Sequence, residues 1–130
     1  MAKNKGSIRK CYRLRHDPIF APKNNETHKN LCDLGKMLVP YLRNHDDRYP
    51  ESIDLLDQEY HGCHLDVVWT RKHVKYLGAG KRCKSNPPDM IIAFDETRLA
   101  ENQDSYALFN DAHVEPVSRD KAVELGLTTL

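Results

Sequence analysis

Hydrophobic spacing changes along the chain, and each change marks an element. From Thr27, the residues Leu31, Leu34, Leu38 and Leu42 recur at three- and four-residue intervals with Tyr41 beside them, one apolar stripe on a helix ending near His45 or Asp46. Asn25 or Thr27 caps its start, and Pro40, which lacks an N–H and crowds the preceding turn, predicts a kink or early end. Asn44-His45-Asp46-Asp47-Arg48 reads as a polar turn. Tyr49-Pro50 is then an extended step into a short helix capped by Ser52 and lined by Ile53, Leu55 and Leu56.

Beyond residue 64 the pattern turns strand-like. Leu65 to Thr70 and His73 to Leu77 are rich in β-branched and aromatic residues and predict two strands split by Arg71-Lys72. Gly78-Ala79-Gly80 and Asn86-Pro87-Pro88 mark a long loop, after which Met90-Ile91-Ile92-Ala93-Phe94 predicts a central strand covered on both faces. Ser105 to Phe109 and His113 to Val117 form a hairpin around Asn110-Asp111-Ala112. Ser118 caps a last helix, with Asp120 in its first turn and Gly126 as its stop. The fold class is therefore α+β, a long N-terminal helix packed on a small, mainly antiparallel sheet with a short C-terminal helix. Residues 1–26 show no sustained period, and Asp17-Pro18 and Ala21-Pro22 break any helix there, so the chain divides into a basic, flexible extension (1–26) and a domain (27–130).

Composition narrows this picture. A chain of 130 residues with 39% hydrophobic and 30% charged residues buries one modest core. No stretch approaches the roughly 18 apolar residues a membrane span needs. The net charge of +1 hides an asymmetry: residues 1–15 carry Lys3, Lys5, Arg9, Lys10, Arg13 and Arg15 without an acid, while residues 95–130 carry eight acids against three bases. Tyr12 is the one aromatic in the basic arm, too few for the stacking that single-stranded nucleic acid requires, so nucleic acid is not the expected partner. The polar opening is unlike a signal peptide, which places the chain in the cytoplasm if Met1 is the true start.

Candidate chemistry is sparse. Cys11, Cys32, Cys63 and Cys83 show no C-x-x-C spacing and read as isolated thiols, two disulfides requiring export. His61-Gly62-Cys63-His64 gathers three potential ligands in four residues, but a structural zinc needs a fourth from Cys83 or His73. A Cys63 nucleophile with His64 as base is disfavoured because sequence neighbours rarely share the required geometry. Asp46-Asp47, Asp95-Glu96 and Asp104 fit no calcium loop and read as solvated charge. Gly78-Ala79-Gly80-Lys81 lacks the remainder of a phosphate loop, and Trp69 reads as core. No catalytic, cofactor-binding or metal-binding residue is assigned, and no cofactor or small-molecule substrate is expected.

Four segments, in order, carry a resemblance. They are Asn30 to Leu38 running through Tyr41 to Tyr49-Pro50-Glu51-Ser52-Ile53-Asp54-Leu55-Leu56; Val74-Lys75-Tyr76-Leu77-Gly78-Ala79-Gly80; Pro87-Pro88-Asp89-Met90-Ile91-Ile92-Ala93-Phe94-Asp95; and Ala107-Leu108-Phe109-Asn110-Asp111-Ala112-His113-Val114-Glu115. As a set they resemble the soluble domain of bacterial prepilin-like and pseudopilin-like proteins of the type II secretion and type IV pilus kind, especially short planctomycete-type forms. The resemblance implies a non-enzymatic structural domain whose partners are other protein subunits, at the periplasmic face if an anchor precedes it. Two departures stand out. A polar, basic stretch occupies the place of the family's leader and apolar segment, and Ala112 replaces the glycine after Asp111. In a two-residue type I′ turn Ala112 needs a positive φ; otherwise Asn110-Asp111 is the central pair and the register moves by one residue.

Two other classes compete with the structural reading. One is a metal-binding or nucleic-acid-linked regulatory module built from the basic arm with His61, Cys63 and His64. The other is a small enzyme whose groups converge from afar, such as His45, His73 and Asp111.

Overall fold

The computed structural model describes residues 26–60 and 65–129. Helix α1, Glu26–Asn44, carries Leu31, Leu34, Leu38 and Tyr41 into the core as their spacing predicts. Leu31 and Leu34 are wholly buried, each worth about 1.5–3 kcal/mol of transfer free energy. Glu26 in the first turn and Arg43 in the last complement the helix dipole. The helix does not end at Pro40 but continues to Asn44. Pro40 lies on the half-buried flank, and buried Leu38 and Tyr41 on either side hold the helix to the sheet through it.

Helix α2, Asp54–Glu59, follows the turn and Tyr49-Pro50. Ser52 is not its cap: Ile53 holds that position without a side-chain bond, and the Ser52 carbonyl instead accepts from Leu55 N at 3.3 Å. The expected strand at 65–70 is also overturned, because helix α3 runs from Val67 to His73. Asp66 caps it by accepting from Trp69 N at 2.9 Å, and the Thr70 hydroxyl donates to the Asp66 carbonyl. Val67 and Thr70 are buried at helical spacing while Val68 points outward, 74% exposed, so capping and packing override the β-propensity of the run.

Strands β1 (Val74–Tyr76), β2 (Ile91–Asp95), β3 (Ser105–Phe109) and β4 (Val114–Val117) form one antiparallel sheet in chain order. Between β2 and β3 lies helix α4, Glu96–Ala100, and after β4 helix α5, Arg119–Glu124, capped by Ser118 Oγ and followed by Gly126 at φ +77°. Lys75 stands opposite Phe94, Phe94 opposite Ala107, and Ala107 opposite Glu115. β2 is central, as predicted, and a bulge between Ile91 and Ala93 lets it serve both faces. Ile92 joins α1, Tyr106, Leu108 and Val114 in the larger core; Phe94 joins Leu99, Ala107, Val117 and Ala122 in a smaller one under α4 and α5.

Both outer edges are poor templates for another strand. Phe109 N donates to His113 O at 2.9 Å, so the alternation of the ladder turns Val114 and Pro116 outward on β4, and Pro116 has no N–H. On β1 the Val74 N–H is committed to Thr70 O at the end of α3. In the hairpin turn, Ala112 N donates to Phe109 O at 2.8 Å. Asn110-Asp111 is therefore the central pair, and Ala112 follows it at φ +72°.

Candidate functional site

Three segments distant in sequence meet at one end of the molecule: the turn after α1, the loop 77–90 and the tip of the β3–β4 hairpin. Asp46 and Asp47 both take left-handed φ, +56° and +64°, which turns the chain back toward the loop. Asp47 Oδ2 then accepts from Lys84 N at 2.7 Å and its carbonyl from Cys83 N at 3.0 Å. Tyr49 N donates to Lys81 O, and the Tyr76 hydroxyl donates to Pro50 O at 2.6 Å. Gly78 lies against the Tyr76 ring so closely that a Cβ there would come within 2.8 Å of it.

Asn110 is the centre of this cluster. The buried Tyr49 hydroxyl donates to its Oδ1 at 2.5 Å. Its amide nitrogen donates in turn to the carbonyls of Cys83 (2.8 Å), Asn86 (3.1 Å) and Pro87 (3.1 Å). One side chain thus ties a loop without secondary structure to the hairpin and, through Tyr49, to the segment leaving α1. Burial pushes the ionisation of Tyr49 and of Tyr76 well above the usual phenol range. Burial also pushes the Cys83 thiol up, opposed by the hydrogen bond with Tyr49 and reinforced by the charge of Asp47. A neutral thiol in this setting is the opposite of an activated nucleophile.

Beside the cluster an apolar cleft of about 380 Å³ separates α1 from the hairpin tip. Val39 and Leu42 line it from the helix, over a floor of Leu38, Leu108 and Tyr49. Gly35 sets the spacing between the two walls, since a Cβ there would stand 3.0 Å from Leu108 and 3.3 Å from the Ala112 carbonyl. At the rim, buried His113 bonds Asp111 through Nδ1 and Glu115 through Nε2 at 3.1 Å, and stacks on Phe109 with centroids 4.8 Å apart.

A second buried polar centre lies at the start of α1. Asp95, 1% exposed, accepts from the Thr27 hydroxyl at 2.7 Å and caps α4 by accepting from Arg98 N at 3.1 Å. Its reading as solvated charge is therefore corrected, as is that of half-buried Asp47, whose carboxylate accepts from Lys84 N, whereas Asp46, Glu96 and Asp104 are exposed. Of the triad proposed from sequence, His73 and Asp111 line different cavities, and His45 pairs with Glu59 at 2.7 Å and stacks on Tyr41. Trp69 is a half-buried cleft wall stacked on His73 rather than core.

Cys32 is buried in the larger core with its Sγ 3.8 Å from His28 Nδ1, and the Cys83 thiol is half-buried. Cys11, the basic arm and the cluster His61, Cys63 and His64 lie outside the described residues. Among the described residues, no three His, Cys, Asp or Glu side chains are placed to hold a metal ion, and no helix is long and apolar enough to cross a membrane. Sequence reasoning missed Tyr49, Asn110 and Asp95 as polar centres; only Asp95, three residues before Arg98, carried a local signal, that of a helix cap. No protein-family model, characterised protein or solved structure matches the chain.

Proposed function

We propose that this is a non-enzymatic subunit-packing domain, similar in role to the globular part of a pseudopilin, and that it docks other subunits through the cleft between α1 and the hairpin. The cleft carries the reading: an apolar recess beside a rigidly tied end presents half-buried Val39 and Leu42 in fixed positions. Fixed apolar side chains bind with little loss of rotamer freedom. Strand addition is the weaker route, because Pro116 and the committed Val74 N–H blunt both edges. The polar groups near the cleft serve one another, Tyr49 with Asn110 and Asn110 with the loop carbonyls, an arrangement suited to holding shape.

Sedimentation velocity of the full chain over a concentration series tests the proposal. Wild type is expected to self-associate as concentration rises, and Val39→Glu and Leu42→Glu, which place a charge in the cleft, to remain monomeric. A wild-type chain that stays monomeric throughout, or association indifferent to both substitutions, refutes it.

A further inference from the structure

A small cleft of about 240 Å³ opens where the start of α1 meets α3 and α4, and it shares no lining residue with the docking cleft. One wall is aromatic. Trp69 and His73, one turn apart on α3, are both half-buried and stack with centroids 4.5 Å apart. Asp95, 1% exposed, also lines the cleft. Its side-chain partners are the Thr27 hydroxyl at 2.7 Å and Arg98 N at 3.1 Å, both neutral donors. A carboxylate offers about four acceptor sites, so roughly two stay open, and burial this deep without a cation is costly.

The surroundings do not make good the deficit. Glu26 and Glu101 line the cleft beside Asp95, three acids against one Arg or Lys, Arg98. Arg98 is committed elsewhere: its Nε donates to the Asp104 carbonyl at 2.7 Å, and its guanidinium lies over the Tyr106 ring at 6.0 Å. The same turn of α1 holds a second unmet group. Asn30, 3% exposed, donates Nδ2 to Glu26 O at 2.9 Å, while its Oδ1 accepts from no donor and so carries the full penalty of its burial.

This corner thus lacks hydrogen-bond donors and positive charge, and it presents a flat aromatic face. A guanidinium answers all three needs, being planar, cationic and armed with five N–H donors in a fixed fork; an ammonium brings its charge as a point and cannot stack. The volume falls below the roughly 300–1,000 Å³ of sites for drug-sized ligands, so the cleft takes a head group with its first methylenes rather than a whole nucleotide. We propose that it is a binding site for an alkylguanidinium cation, free or carried on an arginine side chain, with the plane of the group on Trp69 and its N–H groups on Asp95 and Glu101. The Thr27 bond and the α4 cap hold Asp95 in place before the ligand arrives, which keeps the cost of ordering low.

Trp69 is the only tryptophan of the chain, so its fluorescence reports on this cleft alone. The full chain is titrated at constant ionic strength with propylguanidinium, with a blocked glycyl-arginyl-glycine tripeptide, and with propylurea, the neutral isostere of the first. A saturable change is expected with the cations and none with propylurea, and the tighter of the two cations identifies the source of the group. Glu101→Gln, at an exposed position, should weaken binding several-fold, and Asp95→Asn, which keeps an acceptor for Thr27 and for α4, by about tenfold. Circular dichroism verifies that both variants are folded, and Glu101→Gln alone suffices if Asp95→Asn is not. A response to both cations that does not saturate, an equal response to propylurea, or an affinity unchanged in the folded variants overturns the proposal.

Discussion

Replacing Ala112 by glycine should stabilise this protein, although the same exchange destabilises most ordered positions. Ala112 sits at φ +72°, where the Cβ of an L-residue crowds its own backbone at a cost of about 1–2 kcal/mol. Glycine removes that cost but gives the unfolded chain more freedom, worth about 0.5–1 kcal/mol in the opposite direction. The difference is a net gain of about 0.5–1 kcal/mol, which for a domain of this size raises Tm by about 3–6 °C. The assay is thermal and urea unfolding followed by circular dichroism, with Ala107→Gly as the control. Ala107 is fully buried in β3 and carries no such strain, so its loss should cost about 1.5 kcal/mol from chain entropy and one buried methyl. If Ala112→Gly lowers stability as Ala107→Gly does, Ala112 is not held in the left-handed region and the account of the turn is wrong.

Three further outcomes follow from the polar centres. Asn110→Ala removes the partner of a buried hydroxyl and of three carbonyls, and should cost about 3–4 kcal/mol; Tyr49→Phe alone should cost about 1 kcal/mol, and a double-mutant cycle in urea should show the two to be strongly coupled. Asp95→Ala removes both the α4 cap and the acceptor of Thr27, for a loss of about 2–4 kcal/mol against about 1 kcal/mol for Thr27→Val, read from denaturation midpoints. Because Tyr49, Tyr76 and Cys83 are all raised when folded, the folded state holds their protons longer than the unfolded chain does. Stability should therefore be intact below about pH 9 and fall as pH rises through 10, the ordinary thiol and phenol values, and Tyr49→Phe should flatten that fall; a wild-type profile level to pH 11 would contradict the burial of these groups.

The elements legible in the sequence are those whose signal is local. The stripe from Leu31 to Tyr41, the hairpin strands, and Ser118 with Gly126 around α5 each declare themselves within one element. Residues 67–70 misled because a β-rich composition was weighed without the Asp66 cap, and α4 was missed because Asp95 passed for surface charge. The tied end was illegible for a different reason. Tyr49 and Asn110 lie 61 residues apart, and no periodicity or cap predicts which asparagine will meet which tyrosine. Pro40 shows the reverse case, in which a strong local breaker yields to packing on both sides of it.

The tie through Asn110 has a consequence for cleavage. The loop 77–90 carries exposed Lys81, Arg82 and Lys84, three consecutive opportunities for trypsin in a stretch without regular structure. A protease must draw the chain into an extended form before it can cut, and here the backbone at residues 83, 86 and 87 is gripped by one buried amide while residues 83 and 84 are held by Asp47. Cutting at these sites must wait for the hairpin tip to come away, which makes the lifetime of the intact loop a clock for the opening of that end of the molecule.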